Sequence, residues 1–472
     1  MVEEKKTEAR EKLYDKFSSK LEKAYHLNRQ MVSFQANKIQ PIYRWFKYKE
    51  GYSSNLVNHF LNEHNAHAGK VLDPFAGAGT TLFVGQEQGY ESFGIELLPV
   101  GIFAMQVREA VQHVNVDDFK KTAESVWSVL DNMHEYSIEY EHIPITLGAF
   151  PPDTEVLLNK YLNFTKTVKD KNTALLLRLA VFSVLEEISF TRKDGQFLRW
   201  DHRSNRREGK NTFDKGKILL FKDAVQNKLG QMMADLSSPT FSTELFPVDK
   251  PTVTQQPTTV YQGSCLEIIP TLPTEEYDFI MTSPPYCNRY DYTRTYALEL
   301  VFLGCNNDDV RRLRQEMLSC TVESKEKVQQ LESYYTSIGK LEHFHKVLNV
   351  YRSCESMTEI NSILDELNAT KKLNNPGIAR MVKNYFLEMC FVIFECSRVL
   401  KPNGHFIVVN DNVRYGGEEI PVDLILSEFA EGFGLSVNKI FVLPRGKGNS
   451  SQQMGVHGRT EVRKCVYEWQ KK

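Results

Sequence analysis

The residues from Thr282 to Tyr286 could hold the amino group of a nucleobase. They follow an apolar run that predicts a strand, and they read Thr282-Ser283-Pro284-Pro285-Tyr286. Because prolines fix the backbone, the carbonyl groups before and within the pair are preset hydrogen-bond acceptors. Ser283 adds a side-chain acceptor, and Tyr286 adds a flat ring on which a base could stack. Such a loop suits an amine that attacks a methyl group, although a proline-stiffened end of a strand is the simpler alternative.

A glycine-rich turn, from Ala76 to Thr81, is the second segment that could do chemistry. Gly77 and Gly79 let the backbone approach a ligand and direct free amides at it. Glu96 ends the next predicted strand, where a carboxylate commonly binds the two hydroxyls of a ribose. Leu82 stands in place of the third glycine of the dinucleotide pattern. No Gly-Lys-Ser/Thr follows, so the turn is not a triphosphate-binding loop.

Strands and helices alternate around both segments. Strands are predicted at residues 70–75, 92–97, 259–263, 277–281, 405–410, 436–443 and 463–469. Helices follow the first two strands, and this alternation predicts an α/β protein with a doubly wound sheet. Ligands of such sheets bind where the strand order reverses. We therefore expect the two segments to meet in one crevice.

Two mainly helical insertions divide the chain into five parts. Residues 1–113 hold an N-terminal helix and the first half of the sheet. Residues 114–257 form the first insertion, a candidate target-recognition region, and residues 258–305 carry the Ser-Pro-Pro-Tyr loop. Residues 306–375 form the second insertion, and residues 376–472 complete the sheet.

Composition places the chain among globular proteins. Hydrophobic residues make up 41% of its 472 residues and charged residues 25%, which excludes a disordered or collagenous chain. The net charge is only -2, so any contact with a polyanion must come from a local basic patch. The start of the chain, Glu3 to His26, has Lys, Glu and Leu at helical spacing and predicts a solvated helix.

The features that report on the cellular compartment agree with one another. No apolar run is long enough for a membrane helix, and the first residues carry no apolar signal-peptide core. The eight cysteines are scattered and form no Cys-x-x-Cys pair. We therefore expect a cytoplasmic protein with no membrane contact, no disulfide framework and no metal site.

The two segments together resemble the motifs of the DNA amino-methyltransferases. The string Asp73-Pro74-Phe75-Ala76-Gly77-Ala78-Gly79-Thr80-Thr81 is similar to their S-adenosylmethionine motif, and Ser283–Tyr286 is similar to their catalytic Asp/Asn/Ser-Pro-Pro-Tyr motif. The resemblance covers residues 53–96 and 260–469. It implies a Rossmann-like methyltransferase sheet, mostly parallel with an antiparallel C-terminal strand and with helical insertions.

The resemblance also implies the cofactor and the site residues. S-adenosylmethionine is the implied cofactor, and the residues implied to bind it are Ser53, Asp73, Phe75, Gly77, Gly79, Thr80, Glu96 and Ser264. The implied catalytic residues are Ser283, Pro284, Pro285 and Tyr286. One departure stands near the adenine end, where the family often has an acidic residue and this chain has Gly263-Ser264-Cys265.

The serine form of the catalytic motif implies the target base. In this family it occurs mostly in enzymes that methylate the exocyclic N4 of cytosine in duplex DNA, as the modification half of a restriction–modification system. A cognate restriction endonuclease is the implied partner protein. An N6-adenine DNA methyltransferase and an RNA guanine-N2 methyltransferase remain alternatives. Carbon-5 cytosine chemistry has no candidate nucleophile, because the chain lacks a Pro-Cys dipeptide.

A basic stretch in the first insertion is the candidate DNA-binding surface. Its cations stand near Trp200, and they are Arg192, Lys193, Arg199, Arg203, Arg206 and Arg207. A solvated charged loop is the simpler reading. The rival surfaces are the Arg311–Arg314 segment and the loop from Arg445 to Arg459. Asn410 and Asp411, at the end of a predicted strand, are candidates for the base pocket.

Overall fold

The computed structural model describes residues 7–64, 69–194, 198–204, 206, 212–238, 256–444 and 462–472. The β-strands of this part of the chain are β1 Leu21–Lys23, β2 Lys70–Asp73, β3 Glu91–Glu96, β4 Thr191–Lys193, β5 Leu198–Trp200, β6 Thr258–Gln262, β7 Tyr277–Thr282, β8 Leu400–Asp411, β9 Val413–Tyr415, β10 Glu418–Ile420, β11 Leu435–Val442 and β12 Lys464–Lys471. The α-helices are α1 Glu8–Phe17, α2 Ser54–Glu63, α3 Thr80–Glu87, α4 Pro99–Val111, α5 Val116–Asp131, α6 Pro152–Thr167, α7 Lys171–Phe182, α8 Leu185–Ile188, α9 Phe221–Leu236, α10 Cys265–Ile268, α11 Tyr292–Thr295, α12 Ala297–Phe302, α13 Asn307–Glu316, α14 Val328–Ser337, α15 Leu341–Ser353, α16 Glu355–Ala369, α17 Gly377–Val399 and α18 Val422–Gly432.

Eight of the strands form one sheet in the order β1-β11-β12-β8-β7-β2-β3-β6. Strands β6, β3, β2, β7 and β8 are parallel, whereas β12 is antiparallel to both of its neighbours. The chain runs outward from β2 to β3 and β6 and then returns to the other side of β2 with β7. The strand order therefore reverses between β2 and β7. The predicted fold class, including the antiparallel C-terminal strand, is confirmed.

The central strands are apolar on both faces, as parallel strands between helical layers require. Val71 and Leu72 of β2 and Ile280 and Met281 of β7 have no exposed surface. Helix α17 is buried along almost its whole length. None of the helices in the described part of the chain combines the length and apolar character that a membrane span requires.

The first insertion packs against the helices beside the sheet. Helices α5 to α9 share one hydrophobic core with α4 and α12. Phe182 of α7 lies between α4 and α12, with its ring centroid 4.9 Å from that of Phe103 in α4 and 5.5 Å from that of Phe302 in α12. The insertion is therefore fixed to the helix that follows β3 and to the helix that follows the Ser-Pro-Pro-Tyr loop.

The prediction of a solvated N-terminal helix up to His26 is wrong. Helix α1 ends at Phe17, and both Leu13 and Phe17 are buried against α16 and α18. After a 3₁₀ turn at Ser18–Lys20 the chain forms β1, which extends the sheet by pairing in parallel with β11. The apolar pair four residues apart anchors the helix, and the chain then reaches the sheet edge.

Candidate active site

A crevice lies at the carboxyl ends of β2, β3, β6 and β7. Both predicted segments line it: Phe75, Gly77 and Thr80 on one side and Ser283 and Pro285 on the other. Its remaining walls include Tyr48, Glu50, Asp73, Glu96, Ser264, Tyr292, Met317 and Leu318. The structure thus brings the glycine turn and the Ser-Pro-Pro-Tyr loop together, as expected for a doubly wound sheet.

The glycine turn needs glycine for both conformation and space. Gly77 has a φ of +55° and Gly79 a φ of +80°, which is the left-handed region. A Cβ on Gly77 would lie 2.9 Å from the Tyr48 ring. A Cβ on Gly79 would lie 2.7 Å from Met105 Cγ. Gly77 lines the crevice, whereas Gly79 shapes the turn as the N-terminal cap of α3.

Glu96 clamps this turn to the end of β3. Its Oε2 accepts a hydrogen bond from the Gly77 amide, and its Oε1 accepts one from the Leu98 amide, both at 2.7 Å. Burial raises the pKa of Glu96 to about 7, although both amide bonds favour the ionised form. Each carboxylate oxygen keeps a second lone pair, so Glu96 can still accept bonds from the hydroxyls of a ribose.

Asp73 joins the two segments. Its Oδ1 accepts hydrogen bonds from Thr282 Oγ1 at 2.6 Å and from the Phe75 amide at 3.0 Å, and its Oδ2 accepts one from the Tyr52 hydroxyl at 3.0 Å. Burial raises the pKa of this carboxyl to about 6. Because Thr282 immediately precedes Ser283, Asp73 fixes the Ser-Pro-Pro-Tyr loop relative to the glycine turn.

The Ser-Pro-Pro-Tyr loop is held in place on both sides. Ser283 donates a hydrogen bond from Oγ to the Tyr286 hydroxyl at 3.2 Å, and the Tyr286 carbonyl accepts one from the Asn288 amide at 2.7 Å. The Cys287 carbonyl accepts one from the Tyr415 hydroxyl at 2.6 Å. Burial raises the pKa of the Tyr286 phenol and of the Cys287 thiol, so both stay protonated. Cys287 is therefore a packing residue and no thiolate nucleophile.

Several predicted residues do not line the crevice; besides Gly79, Pro284 and Tyr286, they are Ser53, Asn410 and Asp411. Ser53 is buried at the start of α2, where its hydroxyl donates to the Met31 carbonyl at 2.8 Å. Asn410 is buried and donates to the Tyr385 hydroxyl, and Asp411 pairs with Lys464 at 2.6 Å. Ser264 does line the crevice, and its hydroxyl donates to the carbonyl of Glu316 at 3.3 Å.

The predicted DNA-binding stretch folds into the hairpin of β4 and β5, and only part of it is a free basic surface. Arg192 and Arg199 are opposite each other in the hairpin, are exposed, and stack over the Phe213 ring. Lys193 points the other way and is buried, with its Nζ 2.5 Å from Glu299 Oε1. It therefore cannot contact a phosphate, contrary to the prediction.

Two more of the predicted arginines are engaged within the protein. Arg203 binds both carboxylate oxygens of Asp201, at 2.7 and 2.9 Å. Arg206 stacks on Trp200 and donates to the Ile145 carbonyl at 3.0 Å. Arg207 lies outside the described residues, as does the rival loop from Arg445 to Arg459. Arg192, Arg199 and Arg203 are thus the exposed cations of the described part of the stretch, with Arg199 Nη1 3.6 Å from Asp194 Oδ2 and Arg203 bound to Asp201.

Sequence reasoning missed several residues of the crevice wall. Tyr48 and Glu50 belong to the aromatic segment before α2. The one sequence feature that could have indicated their place in the crevice is the charged residue Glu50 directly before Gly51. Met317 and Leu318 come from the second insertion and carry no signal in the sequence.

The prediction that the site needs no metal stays a prediction. Among the described residues, His64, His405 and Glu468 have side-chain ligand atoms within 4.8 Å of one another. The two imidazole rings stack with their centroids 3.6 Å apart. None of the three residues lines the crevice.

Comparison with known proteins identifies the family. The chain is 45% identical over 461 residues to the type II methyltransferase M.AvaI of Nostoc sp., covering 97% of this chain and 92% of that protein. It is 38% identical over 478 residues to the type II methyltransferase M.BsoBI of Geobacillus stearothermophilus, covering 98% of this chain and 91% of that protein. No family model and no solved structure matches the chain. Since both relatives align over nearly its whole length, the chain belongs to the type II DNA methyltransferases, the family that its two motifs resemble.

Proposed function

We propose that the protein transfers a methyl group from S-adenosylmethionine to the exocyclic N4 of cytosine in duplex DNA. One observation carries the proposal: Glu96 and the glycine turn share a crevice with Ser283 and Pro285, and the Asp73–Thr282 hydrogen bond fixes their relative position. A ligand held by the turn would therefore lie beside the loop suited to hold an amine.

The residues of the crevice fit S-adenosylmethionine. Gly77 lines the crevice, and Glu96 has lone pairs left for the ribose hydroxyls. Ser264 and Leu318 stand at the end of the crevice that would take the adenine. When bound, the cofactor supplies a methyl group on a positively charged sulfur.

The catalytic loop would hold the target amine without a charged side chain. Ser283 and the carbonyl of Pro284 accept its hydrogen bonds, and the Tyr286 ring stacks on the base. The base must leave the helix to reach this loop, because its amine is paired inside the duplex. Positioning supplies most of the rate acceleration, and the amine proton is lost to solvent after transfer. Ser283 favours cytosine as the target base, because the serine form of the motif occurs in this family mostly in enzymes that methylate cytosine.

The first insertion is the proposed target-recognition region. Arg192 and Arg199 would contact phosphates on the outer face of the hairpin. On the inner face of the hairpin, the Lys193 side chain binds Glu299 of α12. The Lys193 carbonyl accepts a hydrogen bond from Lys49 Nζ at 3.0 Å. Because Lys49 adjoins Glu50 of the crevice wall, DNA on this hairpin would be held beside the active site.

Mass spectrometry of nucleosides tests the base. Duplex DNA from an unmethylated host is incubated with the protein and S-adenosylmethionine, and the Ser283→Ala variant is the control for contaminating activity. We expect N4-methylcytosine. N6-methyladenine would retain the family and refute the base, whereas 5-methylcytosine would overturn the mechanism.

The biological setting has its own test. As the modification enzyme of a restriction–modification system, the protein should protect DNA from its partner endonuclease. We expect DNA methylated by the protein to resist an endonuclease encoded beside its gene. Cleavage of fully methylated DNA by that endonuclease would remove the proposed partnership.

A further inference from the structure

The backbone of Arg289, three residues after Tyr286, has a strained conformation. Its φ is +66°, in the left-handed region that residues other than glycine rarely occupy. Two hydrogen bonds hold the turn: the Asn288 amide donates to the Tyr286 carbonyl at 2.7 Å, and the Tyr290 amide donates to Asn288 Oδ1 at 3.1 Å. Because strained residues cluster at active sites and ligand clamps, Arg289 is a candidate for a role at the Ser-Pro-Pro-Tyr loop.

The guanidinium group of Arg289 has no carboxylate partner among the residues that the structure describes. Its Nη1 donates to the side-chain oxygen of Asn374 at 3.2 Å, and its buried Nε has no hydrogen-bond partner in this part of the chain. Asp291, the nearest acid along the chain, is paired with Arg294 and Arg314 instead. The charge of Arg289 is therefore available to an anion that binds from outside.

Asn374 belongs to a segment that has several cations and no acid. Between residues 367 and 387 the chain has no Asp or Glu, and its cations are Lys371, Lys372, Arg380 and Lys383. All of them are exposed, and none forms an ion pair with a described residue. The first three stand on the loop before α17 and on its first turn, and together with Arg289 we call them the basic strip. In a chain of net charge -2, such a strip is the local patch that a polyanion requires.

The start of α17 lies at the edge of the sheet where the crevice opens. Tyr385, about two turns into the helix, accepts a hydrogen bond from Asn410 at the end of β8. The helix therefore runs antiparallel to β8, and its first turn, with Arg380, is near the carboxyl ends of the parallel strands. The hydrogen bond from Arg289 to Asn374 joins the loop before α17 to the Ser-Pro-Pro-Tyr turn at this same edge.

The loop before α17 also packs on the hairpin of β9 and β10. A Cβ on Gly416, in the turn of this hairpin, would lie 3.2 Å from Leu373 Cδ2. The neighbouring Tyr415 donates from its hydroxyl to the Cys287 carbonyl at 2.6 Å. The loop that carries the two lysines of the strip is thus held beside the Ser-Pro-Pro-Tyr loop, once through Arg289 and once through the hairpin.

We infer that the basic strip binds phosphates of the DNA strand that carries the target base, and that Arg289 contacts the phosphate beside the extruded nucleotide. The inference rests on the proposed function, which brings duplex DNA to the Ser-Pro-Pro-Tyr loop and stacks the extruded base on Tyr286. A nucleotide stays joined to its phosphates when its base leaves the helix, so these phosphates come close to the turn after Tyr286. Arginine binds phosphate oxygens with a defined geometry, whereas lysine acts as a point charge. Arg289 is thus suited to the phosphate that must be positioned, and the rest of the strip to its neighbours along the strand.

The salt dependence of the affinity for duplex DNA tests the basic strip. Arg289→Gln should reduce the slope of log affinity against log salt concentration by about one unit, and a combined Lys371→Gln, Lys372→Gln and Arg380→Gln variant by about three units. The control is Lys346→Gln on α15, an exposed lysine 5.3 Å from the ring centroid of Phe394, near the opposite end of α17. This control should keep the wild-type slope. Wild-type slopes in both strip variants would overturn the inference.

Single-turnover methylation at saturating DNA tests the contact assigned to Arg289. Arg289→Gln should slow methyl transfer about 10- to 150-fold, as for a lost charge-assisted hydrogen bond, and Arg289→Lys should recover part of the rate. The affinity for S-adenosylhomocysteine, measured by calorimetry, should be that of the wild type in both variants. An unchanged rate in Arg289→Gln would overturn the role given to Arg289.

Arg289→Gly separates this role from the folding of the turn. Glycine adopts a φ of +66° without strain, so the variant should unfold at the same or a higher urea concentration than the wild type and still lose methyl transfer as Arg289→Gln does. A less stable Arg289→Gly protein with the same loss of rate would assign Arg289 to the fold of the turn and overturn the inference. If the wild-type protein methylates no duplex DNA, the proposed function itself is refuted. Unchanged slopes and rates in variants of an active protein refute only the basic strip.

Discussion

Replacing Thr282 by valine isolates the hydrogen bond that joins the two motifs. Thr282 and Asp73 are both buried, and Thr282 Oγ1 donates to Asp73 Oδ1 at 2.6 Å. Valine has nearly the same shape as threonine, so the change removes the bond and leaves little cavity. Hydrogen bonds to charged groups contribute roughly 1.5–3 kcal/mol. We expect the free energy of unfolding at pH 8 to fall toward the lower half of that range, because Asp73 keeps its bonds from Tyr52 and from the Phe75 amide.

The loss should depend on pH in a defined direction. Burial raises the pKa of Asp73 to about 6 from its ordinary value of 3.8. The contribution of this carboxyl to stability is therefore full below about pH 4 and is lost as the pH rises through 6. The Thr282 hydroxyl stabilises the ionised form, so its removal raises the pKa further. The deficit of Thr282→Val should thus be small at pH 5 and largest at pH 8.

Urea unfolding of the two proteins at pH 5 and pH 8 measures this deficit, and Thr282→Ser is the matched control. Serine keeps the hydroxyl and loses a methyl group, so its deficit should be the same at both pH values. A valine deficit that is independent of pH, or larger at pH 5, would refute the role given to this bond.

Three further predictions concern binding and turnover. Glu96→Gln should weaken S-adenosylhomocysteine binding by roughly 1–3 kcal/mol at pH 8. Because the pKa of Glu96 is about 7, the affinity of the wild-type protein should fall between pH 8 and pH 6, while that of the variant stays flat. Calorimetry that shows parallel pH profiles for the two proteins would remove Glu96 from the ribose site. Tyr286→Ala should raise the activation free energy of single-turnover methylation by roughly 1–3 kcal/mol, which is the magnitude of base stacking. It should leave the affinity for the methyl donor intact, because Tyr286 does not line the crevice. Loss of donor affinity with normal turnover would reverse the assignment. Replacing Arg192 and Arg199 by alanine should reduce the slope of log affinity for duplex DNA against log salt concentration by about two units. Arg311→Ala should leave this slope unchanged. The reverse result would move the DNA-binding surface to the second insertion.

The parts of the site that the sequence predicted are those fixed by neighbouring residues. A strand, a turn with Gly77 and Gly79 and a helix form one local unit, so the position of the turn follows from its own residues. Glu96 follows from the same unit, since it ends the next strand of a β-α-β run. The doubly wound topology then accounts for the meeting of two motifs about 200 residues apart.

The parts that escaped prediction depend on distant partners. A lysine in a basic stretch has the same sequence signature whether it is exposed or buried, and Lys193 is buried because Glu299 lies across from it. The failure at Ser53 has a similar cause, since its hydroxyl is taken by the Met31 carbonyl. Met317 and Leu318 reach the crevice only through the packing of the second insertion, which no local pattern encodes.

The crevice wall is connected to the hairpin that is the proposed DNA-binding surface. Lys193 lies on the inner face of the hairpin that presents Arg192 and Arg199, and it binds α12 through Glu299. Its ammonium group also lies 4.4 Å from the centroid of the Tyr296 ring, and Tyr296 donates its hydroxyl bond to Glu50. A shift of the hairpin would therefore disturb the wall that faces the proposed methyl donor. These contacts are buried, so a phosphate bound on the outer face of the hairpin, as proposed, would be positioned relative to Ser283 by them.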